Sequence, residues 1–292
     1  MSGKSIAGKI KINSFNDICG GGGDSVQEIA LADLHTFSGH PFRVEDDEKM
    51  TELVESIREN GVLVPGIARR RAEGGYELIS GHRRKRASML AGKETMPVIV
   101  RHYTDDDATI IMVDSNLQRE KILPSEKAKA YAMKYDAMKH QGKKGGLSLE
   151  KVGEVAGENY KTVQRYLWLA RLIDGLLELV DQEKIKLYPG VNLSFLEEDQ
   201  QKVVLSVLLD MNCGISLEQS KEIKMLAEDD AVNETSVRMV ITGSKEKPRR
   251  YTMKADVLDQ YFPPNVTDEV IENTVREALN YFFEHKLGGS PK

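Results

Sequence analysis

Apolar positions recur at i, i+3, i+4 and i+7 across Met50, Leu53, Val54 and Ile57, which predicts a helix over residues 47–60. Asp46 or Asp47 can cap it, and Asn60-Gly61 supplies a left-handed stop. The pattern then shortens to strand length. Gly66–Arg70 and Tyr76–Ser80 read as two strands around the turn Gly74-Gly75, with Met96–Arg101 as a third. Between them His82–Ala91 reads as a helix that Gly92 ends. Residues 106–117 form another helix, with Ala108, Ile111 and Met112 on one face. Pro124-Ser125 interrupts, and Ser125 can cap a helix from Glu126 to about Lys139. Gln141–Gly146 reads as a loop, and short helices continue to Ala227. Thr267 can cap a last helix carrying Val270, Ile271, Val275, Ala278, Leu279 and Phe282, a stripe that needs a packing partner: the strand-like Arg250–Met253 or a second copy.

These elements predict an α+β chain. Residues 1–25 are a tail containing four consecutive glycines, Gly20–Gly23. A small α/β domain spans 26–104 and an all-α domain spans 105–227. A linker at 228–248 leads to a small C-terminal module at 249–286. No internal repeat is present. The chain has 292 residues, which suits two or three such domains.

Charge changes the picture by its distribution. The formal net charge is −5, which taken alone argues weakly against nucleic acid. Residues 67–101, however, hold 9 basic and 3 acidic side chains, and residues 119–171 hold 12 and 6. Residues 1–60 hold 6 and 11, and residues 172–240 hold 6 and 14. A basic middle between acidic flanks can meet a polyanion locally while the chain stays soluble. Cys19 and Cys213 are far apart and belong to no CxxC or Cys/His cluster, which disfavours a zinc finger or a disulfide scaffold. No uncharged apolar run reaches the roughly 18 residues that span a bilayer. The lysine-bearing N-terminus lacks an apolar core for secretion, so a cytoplasmic setting is expected.

Residues 148–168 carry a helix-turn-helix pattern. Ser148 can cap the first helix, Val152, Val155 and Ala156 face inward, and Gly153 is small where two helices cross. Gly157 suits a turn of positive φ, and Val163, Tyr166 and Leu167 supply the buried face of the second helix. The polar positions Asn159, Tyr160, Lys161, Thr162, Gln164 and Arg165 would then face DNA. Asn, Gln and Arg can pair with base edges, whereas Lys and Thr more often hold phosphate. Lys143 and Lys144 upstream would add phosphate contacts. The plainer alternative is an αα-hairpin; the small residue, the turn glycine and the apolar residue six positions after it favour DNA.

Ile79-Ser80-Gly81-His82-Arg83-Arg84-Lys85-Arg86-Ala87 joins a strand to a helix. Unpaired N–H groups and the positive dipole end suit phosphate there. Arg83 and Arg84 in the first turn oppose that dipole, so an anionic partner is the natural compensation. The alternative is a basic surface helix that merely touches DNA.

At these residues the chain resembles the ParB-type partition proteins. The resemblance is carried by Gly61-Val62-Leu63-Val64-Pro65, Tyr76–Ala87, Ala91-Gly92 and Met96–Val100. It continues through Ser115-Asn116-Leu117-Gln118-Arg119-Glu120 and Leu123–Ala128, with the helix-turn-helix at the usual distance behind, and covers about residues 26–210. It implies a homodimeric clamp on double-stranded DNA, loaded at a specific site and gated by CTP with Mg2+. It also implies a ParA-type ATPase partner, a C-terminal module that holds the dimer, and a cytoplasmic, nucleoid- or plasmid-associated setting. The nucleotide residues it implies are Gly61, Pro65, Ser80, Gly81, His82, Arg83, Arg84, Asn116 and Arg119, with Arg43 near the nucleotide and Asn116 toward magnesium.

Four departures stand out. His82 replaces a usual glutamate, Ser115 replaces another before Asn116, and Val64 replaces a usual glutamine. Serine is a poor magnesium ligand, so at most a slow CTPase is expected; adjacent Asp114 is the carboxylate that could substitute. Gly190–Leu196 lacks the arginine of the chromosomal Gly-His-Ala-Arg-Ala-Leu segment, which points to a plasmid or mobile-element member.

Two other readings remain. One is a helix-turn-helix transcriptional regulator without the nucleotide switch. The other is a nucleotide-dependent phosphotransferase or nuclease, for which Glu77, Asp114 and Glu120 are the candidate carboxylates. The lone histidines His35, His40, His102, His140 and His285 read as surface or loop residues, Asp105–Asp107 as the start of a helix, and Trp168 as core.

Overall fold

A computed structural model describes residues 26–119, 121–141, 149–243, 261–263 and 266–286. Contacts divide the chain into two units, the second beginning at Gly243.

The first unit opens on a five-stranded mixed sheet, β1 (Val26–Ala30), β2 (Leu34–Thr36), β3 (Gly66–Arg70), β4 (Tyr76–Ser80) and β5 (Thr95–Val100), in the order β1-β5-β3-β4-β2. The three expected strands form its middle. The edges β1 and β2 carry no clear period-2 signal. β1 runs antiparallel to β5, pairing Val26 with Ile99, and β2 runs parallel to β4, pairing Leu34 with Tyr76. β3 is antiparallel to β4 and parallel to β5. Between Ile67 and Ala68 the β3–β4 register shifts, so Ile79 is the extra residue of a bulge.

Alternation along these strands buries both faces. Ala68, Leu78, Met96 and Val98 pack with Ile29, Leu31 and Leu34 on one side. Ile67 and Ile79 face the other side, where they join Met112, Val113, Tyr131, Val152 and Val163. The sheet and the helix-turn-helix therefore share one core. On the first side α1 (Glu48–Asn60) and α2 (His82–Leu90) pack through Met50, Val54, Ile57 and Ala87. Asp47 caps α1, its carboxylate accepting from the Met50 N–H at 2.8 Å, and Gly61 closes it at φ 72°.

α3 (Asp105–Leu117) has Thr104 as its cap, with the Asp105–Asp107 carboxylates in the first turn as expected for a helix start. α4 (Pro124–His140) departs from expectation: Leu123 holds the cap position and Pro124 is the first helical residue. Ser125 instead points its N–H and hydroxyl at Asp181, at 2.9 and 2.6 Å.

Then come α5 (Leu149–Gly153), a 3-10 turn, α6 (Tyr160–Leu169), α7 (Asp174–Asp181), α8 (Leu187–Leu193), α9 (Glu198–Asp210), α10 (Leu217–Glu228) and α11 (Glu234–Thr242). Leu169, Leu176, Ile185, Leu193, Val204, Val207 and Ile223 form their core. α11 lies inside the stretch 228–248 expected as a linker; Val237 and Val240 are buried, and that apolar pair is what the charged flanks concealed. In the second unit, α12 (Asp268–Lys286) confirms the last helix, with Val270, Tyr281 and Phe282 exposed. The expected tail at 1–25, the strand-like Arg250–Met253, Cys19, Lys143, Lys144, Ser148 and Glu120 lie outside the described residues.

One buried ion pair ties α3 to α4. Lys134 Nζ donates to Asp114 Oδ1 at 2.5 Å, and the residues are only 2% and 6% exposed. Burial pushes the Asp114 carboxyl up, and the Lys134 cation opposes that push. Breaking such a pair leaves an uncompensated buried charge. Lys134→Ala is expected to cost about 3–5 kcal/mol in urea unfolding, with most of it recovered in the double variant Lys134→Met/Asp114→Leu. A cost below about 1 kcal/mol would mean that the pair contributes nothing.

Candidate nucleotide cradle and DNA-reading helix

The cradle begins at Gly81, which caps α2 at φ 113° and ψ 20°. That left-handed corner is what only glycine adopts cheaply. A Cβ there would also stand 3.3 Å from the Gly66 Cα. The corner points the α2 N-terminus out of the sheet, and the basic run follows at once.

The four cations are tied to three segments of the chain. Arg83 reaches the Asp47 carboxylate at 2.7 Å, and this bond holds Asp47 below the usual carboxylate range. Arg84 donates to the carbonyls of Val64 and Pro65 at 2.7 and 2.6 Å, drawing the Gly61–Pro65 loop onto the helix. Lys85 donates to the Leu34 carbonyl, and its burial lowers its pKa. Arg86 makes a two-point contact with Asp46, at 3.1 and 2.6 Å.

His82 is buried at the first position of α2, and its ring lies 3.9 Å from that of His40. His40, expected as a plain loop residue, is thus packed into the cradle. The Phe42 ring meets His40 edge-on, and the Arg119 guanidinium lies 5.6 Å from the Phe42 centroid. Burial, then the nearby Arg83 cation, pulls the Arg119 pKa down. Arg43 sits one residue further; its N–H donates to Glu126 at 2.8 Å and its guanidinium lies 3.7 Å from Asp181. Ser80 ends β4, paired with Ile67.

The magnesium side is different. The Asn116 amide is buried and donates to the Met112 carbonyl at 2.7 Å, and the Ser115 hydroxyl donates to the same carbonyl. Asp114, the expected stand-in carboxylate, is committed to Lys134 and cannot serve. Glu77 is likewise taken, by Arg69 at 2.7 Å and the Ser38 N–H at 3.2 Å. The residues fit a polyphosphate; they do not fit a carboxylate-ligated magnesium. Among the described residues no group of three or more His, Cys, Asp or Glu is placed to hold a metal ion. Among them, too, no helix is long and apolar enough to cross a membrane.

The helix-turn-helix forms as expected. Gly157 takes φ 65° in the turn. A Cβ at Gly153 would stand 2.5 Å from the Glu158 carbonyl oxygen and 2.7 Å from Val163, so the two helices cross only over a glycine. Val163 and Leu169 are fully buried, with Tyr166 and Leu167 partly so. Asn159 caps α6, its side-chain oxygen accepting from the Thr162 N–H at 3.0 Å. Tyr160 and Lys161 are exposed, and Thr162, Gln164 and Arg165 are half-buried. Arg165 stacks 4.8 Å from the Tyr188 ring of α8, a contact between segments too distant in sequence to be read from either. Trp168 packs on Phe195 at 5.5 Å and is only partly buried. Behind α6, Lys127 of α4 pairs with Glu158 and lies 5.0 Å from the Tyr166 ring.

Fold and site together define a chain in which an arginine-rich helix N-terminus precedes a helix-turn-helix in one compact unit. Comparison with known proteins places the chain in a family. The ParB N-terminal domain profile matches residues 19–117. The chromosome-partitioning protein Spo0J of Thermus thermophilus is 31% identical over 202 residues, 69% of this chain and 71% of that protein. The nucleoid occlusion protein of Listeria monocytogenes is 27% identical over 253 residues, 86% of this chain and 84% of that one. A crystal structure of the C-terminally truncated chromosome-partitioning protein ParB from Caulobacter crescentus, complexed to the centromeric parS site, is 20% identical with a TM-score of 0.41, over 70% of this chain and 99% of that one. The chain belongs to the ParB family.

The histidines make the fold acid-sensitive. Burial, before any other cause, pushes His40 down to about 4 and His82 down to about 3. An unfolded histidine takes up its proton near pH 6.5, so the unfolded state binds protons first as pH falls. Stability is therefore full above pH 6.5 and is lost progressively toward pH 4. The expected loss is about 1 kcal/mol per histidine by pH 5.5, read by urea unfolding across pH. The His40→Gln/His82→Gln double variant should show a flatter profile.

Proposed function

We propose that this chain is a sequence-specific DNA-binding partition protein, a homodimeric clamp on double-stranded DNA gated by CTP. The observation that carries this reading is the left-handed Gly81 corner, which sets Arg83, Arg84 and Lys85 at a helix N-terminus in the same compact unit as the helix-turn-helix. Gly81, Arg83, Arg84 and Lys85 would hold the triphosphate, the Gly61–Pro65 loop and Ser80 would border it, and Arg119 and Arg43 would close the far side. Nucleotide supplies the switch, and the chain's own residues supply the cations that bind and orient it. With Ser115 and Asp114 turned away from any metal, hydrolysis is slow or absent. Glu77 and Asp114 are both committed to cations, which also counts against a phosphotransferase or nuclease.

On the DNA side, Tyr160, Lys161 and Gln164 would meet the major groove, with Arg165 held ready by Tyr188 and Asn159 and Thr162 at the groove edge. Lys143 and Lys144 would add phosphate contacts. The apolar stripe of α12, with Val270 exposed on it, supports a second copy as its partner. A ParA-type ATPase and a cytoplasmic, nucleoid- or plasmid-associated setting complete the proposal.

Two experiments test it. Labelled CTP should bind the full chain in preference to ATP, GTP and UTP, and Arg84→Ala should weaken binding at least tenfold, about 1.4 kcal/mol or more. A folded protein without selective CTP binding would instead be a static DNA-binding regulator. Lys161→Ala should weaken DNA binding nearly uniformly across sequences and lower the salt slope by about 1, whereas Arg165→Ala should cost about 1–3 kcal/mol at the specific site and relax sequence preference. A fragment library showing no DNA preference at any salt would sink the DNA reading.

A further inference from the structure

Two buried imidazole nitrogens at the head of α2 have no hydrogen-bond partner, His40 Nε2 and His82 Nε2. Their rings are stacked at 3.9 Å with a 42° tilt, and His82 is 6% exposed. His40 Nδ1 lies 2.8 Å from the Phe42 carbonyl, which can only accept. Nδ1 therefore carries the proton, and His40 Nε2 keeps a buried lone pair. Buried polar groups without a partner are rare and call for an explanation, such as a functional role or a bound ion.

The surroundings say what that something is. Arg84 and Lys85 face His82 from its own helix, and Arg119 faces both rings from the end of α3. Arg83 stands near Arg119, and the nearest opposing charges, Asp47 on Arg83 and Glu126 beside Arg119, act on those arginines. A cationic field of this kind repels a metal ion and attracts an anion. Burial first, and then the same field, keeps both imidazoles neutral.

We propose that His40 and His82 act as a proton-linked pair within the cradle, taking up one proton from solvent when a polyphosphate binds at the α2 N-terminus, so that binding strengthens as pH falls. This rests on the nucleotide reading above and deepens it. A bound polyphosphate reverses the field of the four cations. A protonated His82 carries a hydrogen on both ring nitrogens, so its Nε2 donates to the His40 lone pair after a small ring rotation, and the bound phosphates stabilise the imidazolium charge that the extra proton brings. The proton goes to His82 and returns to solvent on release, so no other reactant is needed. The glutamate that the family resemblance expects at position 82 has no counterpart to this behaviour, which makes pH dependence a property of this chain's own histidines.

The test is calorimetric titration of the full chain with CTP and magnesium at pH 6.5, in two buffers of different ionisation enthalpy. Wild type is expected to take up about half to one proton per CTP beyond what His82→Gln and His40→Gln take up. Between pH 8.0 and 6.5 its affinity should tighten about five- to tenfold more than theirs. Tripolyphosphate used as a second probe should give the same proton uptake, because the phosphates and not the base drive it. CTP binding with an equal proton count in wild type and both variants overturns the pair and leaves the nucleotide reading standing. Absence of CTP binding at every pH overturns the nucleotide reading and the pair with it. If a variant fails to fold, imidazole nitrogen shifts of the wild type decide: a His82 ring that stays neutral with CTP bound overturns the proposal.

Discussion

The arrangement of the N-terminal half depends on the left-handed corner at Gly81. It turns the last residue of β4 into the first turn of α2 at a φ that strains any side chain, with a Cβ there only 3.3 Å from the Gly66 Cα. The basic run then opposes the helix dipole, at about 0.3–1 kcal/mol for each exposed cation. What offsets this is the tie each side chain makes. Arg84 to two carbonyls and Lys85 to a third are charge-assisted bonds in partly buried settings, worth about 1.5–3 kcal/mol each. The exposed pairs of Arg83 with Asp47 and Arg86 with Asp46 add much less. The ties therefore win, and they fasten α1, β2 and the Gly61–Pro65 loop to one helix.

A second helix, α4, connects this half to the DNA-reading half. Lys134 meets Asp114 of α3, Lys127 meets Glu158 just before the cap of α6, Ser125 meets Asp181 of α7, and Glu126 accepts from the Arg43 N–H beside the cradle. All four of these contacts involve an ionised group in a partly or fully buried place. Charged contacts of that kind have few alternative geometries, because a partner pulled away leaves a desolvated charge behind. These contacts place α4 between the residues around Arg43 and the base of the recognition helix.

The sequence made the local features legible and left the long-range ones hidden. The helix Glu48–Asn60, the hairpin through Gly74-Gly75, the Gly81 turn and the Gly153/Gly157 pair all follow from period, capping and glycine placement. Such signals lie within a few residues of one another. The edge strands were missed because β1 and β2 are short and draw their pairing from β5 and β4. The cap of α4 was missed because proline at the first helical position moved the helix start ahead of Ser125. In the site, the arginines were evident from the motif. His40 beside His82, Phe42 beneath Arg119, Tyr188 against Arg165 and Lys134 against Asp114 were not. Each joins residues from 20 to 77 positions apart, as His40 to His82, Phe42 to Arg119, Arg165 to Tyr188 and Asp114 to Lys134, and no periodicity records such a contact.

Because the cradle cations are already paired, a phosphate bound as proposed would exchange partners and not simply add them. At Arg83 the exchange favours the ligand. An exposed ion pair with Asp47 is screened by solvent and contributes little, whereas a two-point arginine–phosphate contact is stronger and geometrically more exacting. Asp47 loses little when it is displaced, because the same oxygen still accepts the Met50 N–H that caps α1. Arg84 is the opposite case. Its bonds to the Val64 and Pro65 carbonyls would leave two acceptors behind if they broke. On the proposed nucleotide reading the two arginines would divide the work: Arg83 would be released to the phosphate at low cost, and Arg84 would hold the loop.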